Sequence, residues 1–265
     1  MVQYGRVGRI SSSVDPVRVL HLTDPHLFSD EAGSFRGTVT LASLLDVIQH
    51  YRAGDWKADF VAATGDIIQD DSAGAYERFT ELVGTLDLPV HCVPGNHDDR
   101  ELMQQAVNEP PFFYCDAFEV SNWLVIGIDS CESDRAGGAI DADEYERFDQ
   151  AIESSDADHV MLCLHHPPVV MGSAWLDTVG LDEPEEFFDR IGASGKVRLA
   201  IFGHVHQLYD DEHHGVRIIG TPSTCRQFKP GSDEFAVDEN PPAYRRISLH
   251  PDGRIETELV WVENA

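Results

Sequence analysis

The sequence predicts an α/β fold of stacked sheets and helices. Three observations carry that reading. Through residues 17–107, short apolar runs with branched residues alternate with amphipathic stretches, the rhythm of strand and helix units. Most of those runs stop abruptly at Gly, Pro, Asp or His, as strands do where the chain turns. The chain then closes on three β-type segments with no helix between them.

Residues 1–16 read as a short polar lead, and 17–265 as one continuous domain with no linker or internal repeat. Val17–Leu22 is the first strand, followed at once by Thr23-Asp24-Pro25-His26. Thr38–Arg52 has helical spacing, with Leu41, Leu44, Leu45 and Ile48 on one face, and Gly54-Asp55 ends it. Phe60–Thr64 is the second strand and Gly65-Asp66 terminates it. Ala73–Leu86 is amphipathic through Tyr76, Phe79, Leu82 and Val83. Val90–Val93 is a strand ended by Pro94-Gly95, then Asn96, His97 and Asp98, before a short helix over Arg100–Val107.

Phe112–Val120 and Trp123–Ile128 read as consecutive antiparallel strands joined at Ser121-Asn122. A polar loop over 129–140 leads into a helix over Asp141–Ser154, where Asp141 is the N-cap and Glu144 stands in the capping-box position. Val160–Leu164 is a strand stopped by His165-His166-Pro167-Pro168. Glu183–Ile191 is helical, and Val197–Phe202 is a strand running into Gly203-His204-Val205-His206. Gly215–Gly220, Tyr244–Leu249 and Ile255–Val262 are the closing β segments. Residues 229–243, rich in Pro, Gly and acids, read as a flexible loop.

Composition narrows the function classes. The chain of 265 residues has 47 acidic and 19 basic residues, a net charge of −28. Phosphate backbones and anionic lipids need basic patches, so nucleic-acid and membrane partners are not expected. Such a surface suits a salty cytoplasm, as in a halophilic or marine organism. The 5 Cys are odd in number and contain no C-x-x-C, so neither a disulfide framework nor a zinc knuckle is expected. No apolar stretch nears the ~20 residues needed to span a membrane, and the start lacks the apolar core of a signal peptide. A cytoplasmic, soluble protein is the expectation.

Asp24, His26, Asp66, Asn96, His97, His165, His204 and His206 all follow apolar strands directly. Alone, each has an ordinary reading: a capping Asp, a surface His, a Gly-Asp turn. Together they are hard to explain that way, because ligands of open α/β sheets bind at the carboxyl ends of strands. Asp24 and His26, and again His204 and His206, are two residues apart and so share one side of extended backbone. Mixed nitrogen and oxygen ligands without Cys suit Mn²⁺, Fe²⁺ or Fe³⁺, or catalytic Zn²⁺. The set is too large for one ion and fits two sharing Asp66, whose carboxylate has two oxygens. Two divalent ions against two carboxylates leave the cluster locally positive, so an anionic substrate remains compatible with the acidic chain.

The ordered blocks Asp24-Pro25-His26, Gly65-Asp66, Gly95-Asn96-His97-Asp98, His165 and Gly203-His204-Val205-His206 resemble those of the calcineurin-like metallophosphoesterase superfamily. Two further stretches, 173–177 and 221–230, look like its bacterial class III 3′,5′-cyclic AMP phosphodiesterase branch. The resemblance implies an α-β-β-α sandwich of two mixed sheets flanked by helices. It implies a first metal on Asp24, His26 and His206, a second on Asn96, His165 and His204, and Asp66 as the bridge. It also implies a metal-bridging hydroxide attacking phosphorus, with His97 as general acid or charge stabiliser.

The same resemblance would bring His26, Asp66, Asn96, His97 and His206 against the substrate phosphate, a small cyclic nucleotide or other phosphodiester. A broad phosphodiesterase or nucleotide pyrophosphatase is the enzymatic alternative, and a non-catalytic scaffold a more distant one. Asp98 either orients His97 or caps the loop. Trp175 and Phe228 either stack on a base or pack loops, and Arg226 and Lys229 are candidate phosphate contacts. Exposed C-terminal strands permit a homodimer.

Overall fold

The computed structural model describes residues 15–263, so all but the last two residues of the expected polar lead lie outside it. The described chain runs β1 (Val17–Leu22), β2 (Ser34–Phe35), β3 (Thr38–Val39), α1 (Thr40–Ala53), β4 (Phe60–Thr64), α2 (Ala73–Gly84), β5 (Val90–Val93), α3 (Arg100–Ala106) and β6 (Phe112–Tyr114). It continues through β7 (Ala117–Val120), β8 (Trp123–Gly127), α4 (Ala142–Glu153), β9 (His159–Cys163), α5 (Pro184–Ala193) and β10 (Val197–Phe202). Four strands close it: β11 (Tyr209–His213), β12 (Val216–Gly220), β13 (Ala243–Leu249) and β14 (Ile255–Trp261).

Two six-stranded mixed sheets result, ordered β14-β13-β1-β4-β5-β6 and β11-β12-β10-β9-β8-β7. Strand alternation divides the core into layers. On β1, Leu20 and Leu22 face α1 and α2 together with Leu44, Ile48 and Phe79. Val17 and Val19 face the other way and meet Trp123, Met161 and Ile201 of the second sheet. Behind that sheet, Ile126, Leu162 and Ile218 pack against Phe148 of α4 and Phe187 of α5. Helix, sheet, sheet, helix is therefore the layer order. Parallel β1, β4 and β5 in one sheet and β9 and β10 in the other bring their carboxyl ends to one edge. No helix among the described residues is long and apolar enough to cross a membrane.

The structure departs from the sequence reading at several elements. The expected strand over 112–120 is two strands in different sheets: β6 pairs with β5 and β7 with β8. Cys115, at φ 40°, turns the chain between them. Alternation of apolar residues is the same on either sheet, so periodicity does not mark the crossing. On α1 the buried arc is Thr40, Ser43, Leu44, Val47, Ile48 and Tyr51, and Leu45 is exposed. Asp141 does cap α4 by accepting from Glu144 N, but the Glu144 carboxylate instead accepts from Asp129 N, leaving half a capping box.

β11 had no apolar signal because its centre is Asp210-Asp211-Glu212 on an exposed edge. Residues 229–243 fold back on themselves: Lys229 N donates to Ala236 O and Asp238 N to Gln227 O.

Candidate metal centre

Loops after β1, β4, β5, β9 and β10 carry the candidate ligands to one place. Asp24, His26, Asp66, His204 and His206 all have left-handed backbone, with φ of 52°, 47°, 50°, 68° and 50°, so the two pairs converge through tight turns and not along the extended backbone that their spacing suggests. That region is costly for non-glycine residues and persists where the surroundings enforce it, often at functional sites. Close packing enforces it here. A Cβ on Gly95 would stand 2.2 Å from Asp66 Oδ1, and one on Gly203 would stand 2.1 Å from Thr23 Oγ1. Glycine alone lets these loops meet.

Two clusters form. In the first, His206 Nε2 lies 3.2 Å from Asp24 Oδ1 and 3.1 Å from His26 Nε2. In the second, His165 Nε2 lies 3.3 Å from Asn96 Oδ1 and 3.2 Å from His204 Nδ1. Asp66 touches both: Oδ2 is 3.7 Å from His26 Nε2, and Oδ1 is 3.3 Å from His165 Nε2. His26, Asp66 and His165 are almost wholly buried.

The donor chemistry of these groups fits cations. His165 Nδ1 is 2.7 Å from Thr64 O, and His206 Nδ1 meets Arg226 O. A carbonyl only accepts, so each ring keeps a proton at Nδ1 and turns Nε2 to the cluster, a lone pair there once any second proton has left. Each lone pair faces further acceptors, an arrangement that a cation satisfies. Burial acts in the same sense on two of the rings. Burial pushes His26 and His204 down to about 3, so both are neutral and free to ligate. Burial also disfavours His165⁺, but Asp66 outweighs it and brings His165 up to about 9. A metal would displace that proton, since ligands bind deprotonated.

His166 stands beside the second cluster, yet its Nδ1 is bound by Ser130 Oγ at 2.9 Å and its Nε2 lies 3.2 Å from Ala136 O. Both ring nitrogens are used, which leaves His165 as the ligand candidate. His97 sits at the rim with its ring 5.1 Å from that of His26. Its backbone N donates to Asp66 Oδ1 at 2.9 Å.

Asp98 does not hold His97. Its carboxylate accepts from Ile67 N, Ile68 N, Gly95 N and Tyr76 Oη, so the loop-capping role is what the structure shows. Burial, with Asp66 nearby, pushes Asp98 up to about 6. Gln69, absent from the sequence reading, places Nε2 3.1 Å from His97 Nδ1. Only its position three residues after Asp66 could have drawn notice.

Aromatic residues wall the first cluster. Phe35 stacks on His26 at 4.3 Å and Phe228 on His206 at 4.0 Å. Trp175 packs edge-on against Phe228 and Phe235. Trp175 and Phe228 thus pack loops. Arg226 contributes its carbonyl to His206, and Lys229 its backbone to the fold-back of 229–243. The 221–230 segment buttresses the Asp24 loop: Ser223 Oγ donates to Asp24 O and Thr224 N to Thr23 O.

Comparison with known proteins agrees with this geometry. Residues 17–208 match the model of the calcineurin-like phosphoesterase family. The chain is 35% identical over 248 residues to the 3′,5′-cyclic adenosine monophosphate phosphodiesterase CpdA of Pseudomonas aeruginosa, covering 94% of this chain and 91% of that protein. It is 34% identical over 248 residues to the CpdA of Vibrio vulnificus, covering 93% and 90%. Among solved structures, a dimetal phosphatase from Danio rerio shares the fold, with a TM-score of 0.62 at 16% identity over 94% of this chain and all of that one. This chain belongs to the calcineurin-like phosphoesterase family.

Proposed function

We propose that the protein is a dinuclear-metal phosphodiesterase that hydrolyses 3′,5′-cyclic AMP to 5′-AMP in the cytoplasm. The observation that carries the dinuclear reading is the shared carboxylate. One oxygen of Asp66 faces the His26 cluster and the other the His165 cluster, at 3.7 and 3.3 Å. The substrate assignment rests on the similarity to the two phosphodiesterases over more than nine-tenths of the chain.

In this reading Asp24, His26 and His206 hold one ion, Asn96, His165 and His204 the other, and Asp66 bridges. Mn²⁺ or Fe suits the mixed donors, with Zn²⁺ also compatible. When bound, the ion pair supplies Lewis acidity that activates water and neutralises the phosphate. The protein does the positioning. Thr64 O and Arg226 O fix the His165 and His206 rings. Gln69 Nε2 donates to His97 Nδ1, which keeps the His97 proton on Nε2. That N–H can donate a hydrogen bond to the 3′-oxygen as it leaves, stabilising its charge without giving up the proton.

The test compares kcat/KM with Mn²⁺ for 3′,5′-cyclic AMP, 2′,3′-cyclic AMP and an aryl phosphodiester, alongside metal analysis. The expected result is a lead for 3′,5′-cyclic AMP and two ions per chain. A lead for either other substrate refutes the cyclic AMP assignment and leaves a broad phosphodiesterase. Fewer than one ion per chain refutes the catalytic reading altogether.

A further inference from the structure

Between the two sheets, the core changes character toward the metal centre. Val17 and Val19 of β1 face the inter-sheet layer, and the next residue on that face is His21. On β4, Phe60 and Ala62 are followed by Thr64. On β13, Leu249 and Ile247 are followed by Arg245. An apolar layer thus ends in His21, Thr64 and Arg245, with Thr221 entering from the end of β12. All four are buried, Arg245 at 2% exposure. Buried polar groups demand partners, and these find one another in a line.

Arg245 Nε donates to Thr221 Oγ1 at 3.0 Å. Thr221 Oγ1 lies 2.8 Å from His21 Nδ1, and His21 Nε2 lies 2.8 Å from Thr64 Oγ1. Thr64 Oγ1 donates to Thr23 Oγ1 at 2.8 Å, and Thr23 Oγ1 donates to Asp24 Oδ2 at 2.6 Å. The two ends, with a neutral His21 between them, set the direction of the protons. A guanidinium can only donate and a carboxylate can only accept. Each group between them therefore receives from the Arg245 side and gives toward Asp24. His21 must be the neutral Nε2–H tautomer, in keeping with burial and Arg245, which push it down to about 3.

We propose that this chain of hydrogen bonds makes Arg245, Thr221, His21 and Thr64 positioning residues for the first metal site. His204 N is shared by both Asp24 oxygens, 3.1 Å from Oδ1 and 3.0 Å from Oδ2, while the Thr23 hydroxyl holds Oδ2 alone, so Oδ1 is the oxygen turned toward His206. The chain presents Asp24 as a one-oxygen ligand, set from the far side of the inter-sheet layer. Neutral links in a low-dielectric layer polarise one another, so a break anywhere is felt at the end. The proposal rests on the dinuclear reading above.

Thr221→Val is the informative break. It is nearly isosteric, touches no candidate ligand and stops the chain at its second link. Thr221→Ser keeps the hydroxyl. The measurement is calorimetric titration of chelator-stripped protein with Mn²⁺, together with thermal melts of the metal-free proteins. Wild type is expected to take up two ions. Thr221→Val should weaken one site by about 10–100-fold, the usual cost of losing an outer-shell partner, and leave the other unchanged.

Thr221→Ser should restore the weakened site to within a few-fold of wild type. Unchanged affinity in Thr221→Val overturns the proposal. So does equal weakening of both sites in step with a lower melting temperature, which would mark a merely structural role. Wild type binding fewer than two ions overturns the dinuclear reading itself, a distinct outcome. If Thr221→Val does not fold, Thr64→Val with Thr64→Ser makes the same break nearer Asp24, judged by the same outcomes.

Discussion

His97 follows Asn96 directly, but its ring is governed by a residue from another loop. Gln69 Nε2 at 3.1 Å from His97 Nδ1 selects the tautomer that carries the proton on the opposite nitrogen. Asp98, the sequence neighbour, spends its oxygens on the backbone of 67, 68 and 95 and on Tyr76. The two roles separate by mutation. His97→Ala should retain both metals and lose about 10²–10³ in kcat, the range for removing one donor to a developing oxyanion. Gln69→Leu removes one neutral hydrogen bond worth about 1 kcal/mol, so kcat should fall roughly five- to tenfold with metal content unchanged. Loss of metal in His97→Ala would make it a ligand, and wild-type kcat in Gln69→Leu would free His97 of this control. The candidate ligands are legible in sequence because each follows a strand end. Gln69 is not, because the turn after Asp66 that carries it to His97 has no fixed spacing.

At the scale of elements, the centre is a set of loop tips held within van der Waals contact by glycine. Gly95 follows β5 by two residues and lies where any side chain would strike Asp66: a Cβ would be 2.2 Å from Oδ1 and 2.3 Å from the Asp66 backbone N. Backbone cannot swing aside as a flexible side-chain end can. Gly95→Ala should therefore displace Asp66, the one group common to both clusters. The expected outcome is a near-complete loss of activity and of bound Mn²⁺, with far-ultraviolet circular dichroism unchanged because β4 and β5 keep their pairing. Retention of two ions by Gly95→Ala would show that Asp66 tolerates the shift and does not bridge.

The same scale explains which elements the sequence reveals. β1, β4, β9 and β10 are near-continuous apolar runs because sheet or helix covers both faces, the habit of buried parallel strands. β11 is acidic and lies on an exposed edge, and β2 and β3 are two residues each. Such strands are defined by pairing partners distant from any local pattern.

For the whole molecule, charge is the dominant unbalanced quantity. The chain carries 47 acidic and 19 basic residues, a surplus of 28 negative charges. Much of the basic complement is already engaged. Arg78, Arg135, Arg190, Arg217, Arg246 and Arg254 each pair with an acid at partly or fully exposed positions. Exposed pairs of this kind contribute about 0–1 kcal/mol each, so they do not offset the repulsion among the remaining acids. That repulsion acts over distances that salt controls, since the Debye length falls from about 10 Å at 0.1 M to about 3 Å at 1 M. Net charge this far from zero destabilises the compact state by self-repulsion.

Raising KCl should therefore stabilise the fold, and the melting temperature should climb between 0.1 and about 2 M, steeply at first and then levelling as screening saturates. Screening weakens the exposed ion pairs too, but attraction lost in a few pairs is small beside repulsion relieved across the whole surface. KCl is the salt of choice because sulfate would strengthen apolar burial in its own right. The melts belong on metal-free protein, so that a change in metal affinity with salt does not enter. A melting temperature that is flat or falls across that range would show that the acids are spaced widely enough for water alone to screen them, and would remove the physical basis for a high-salt origin.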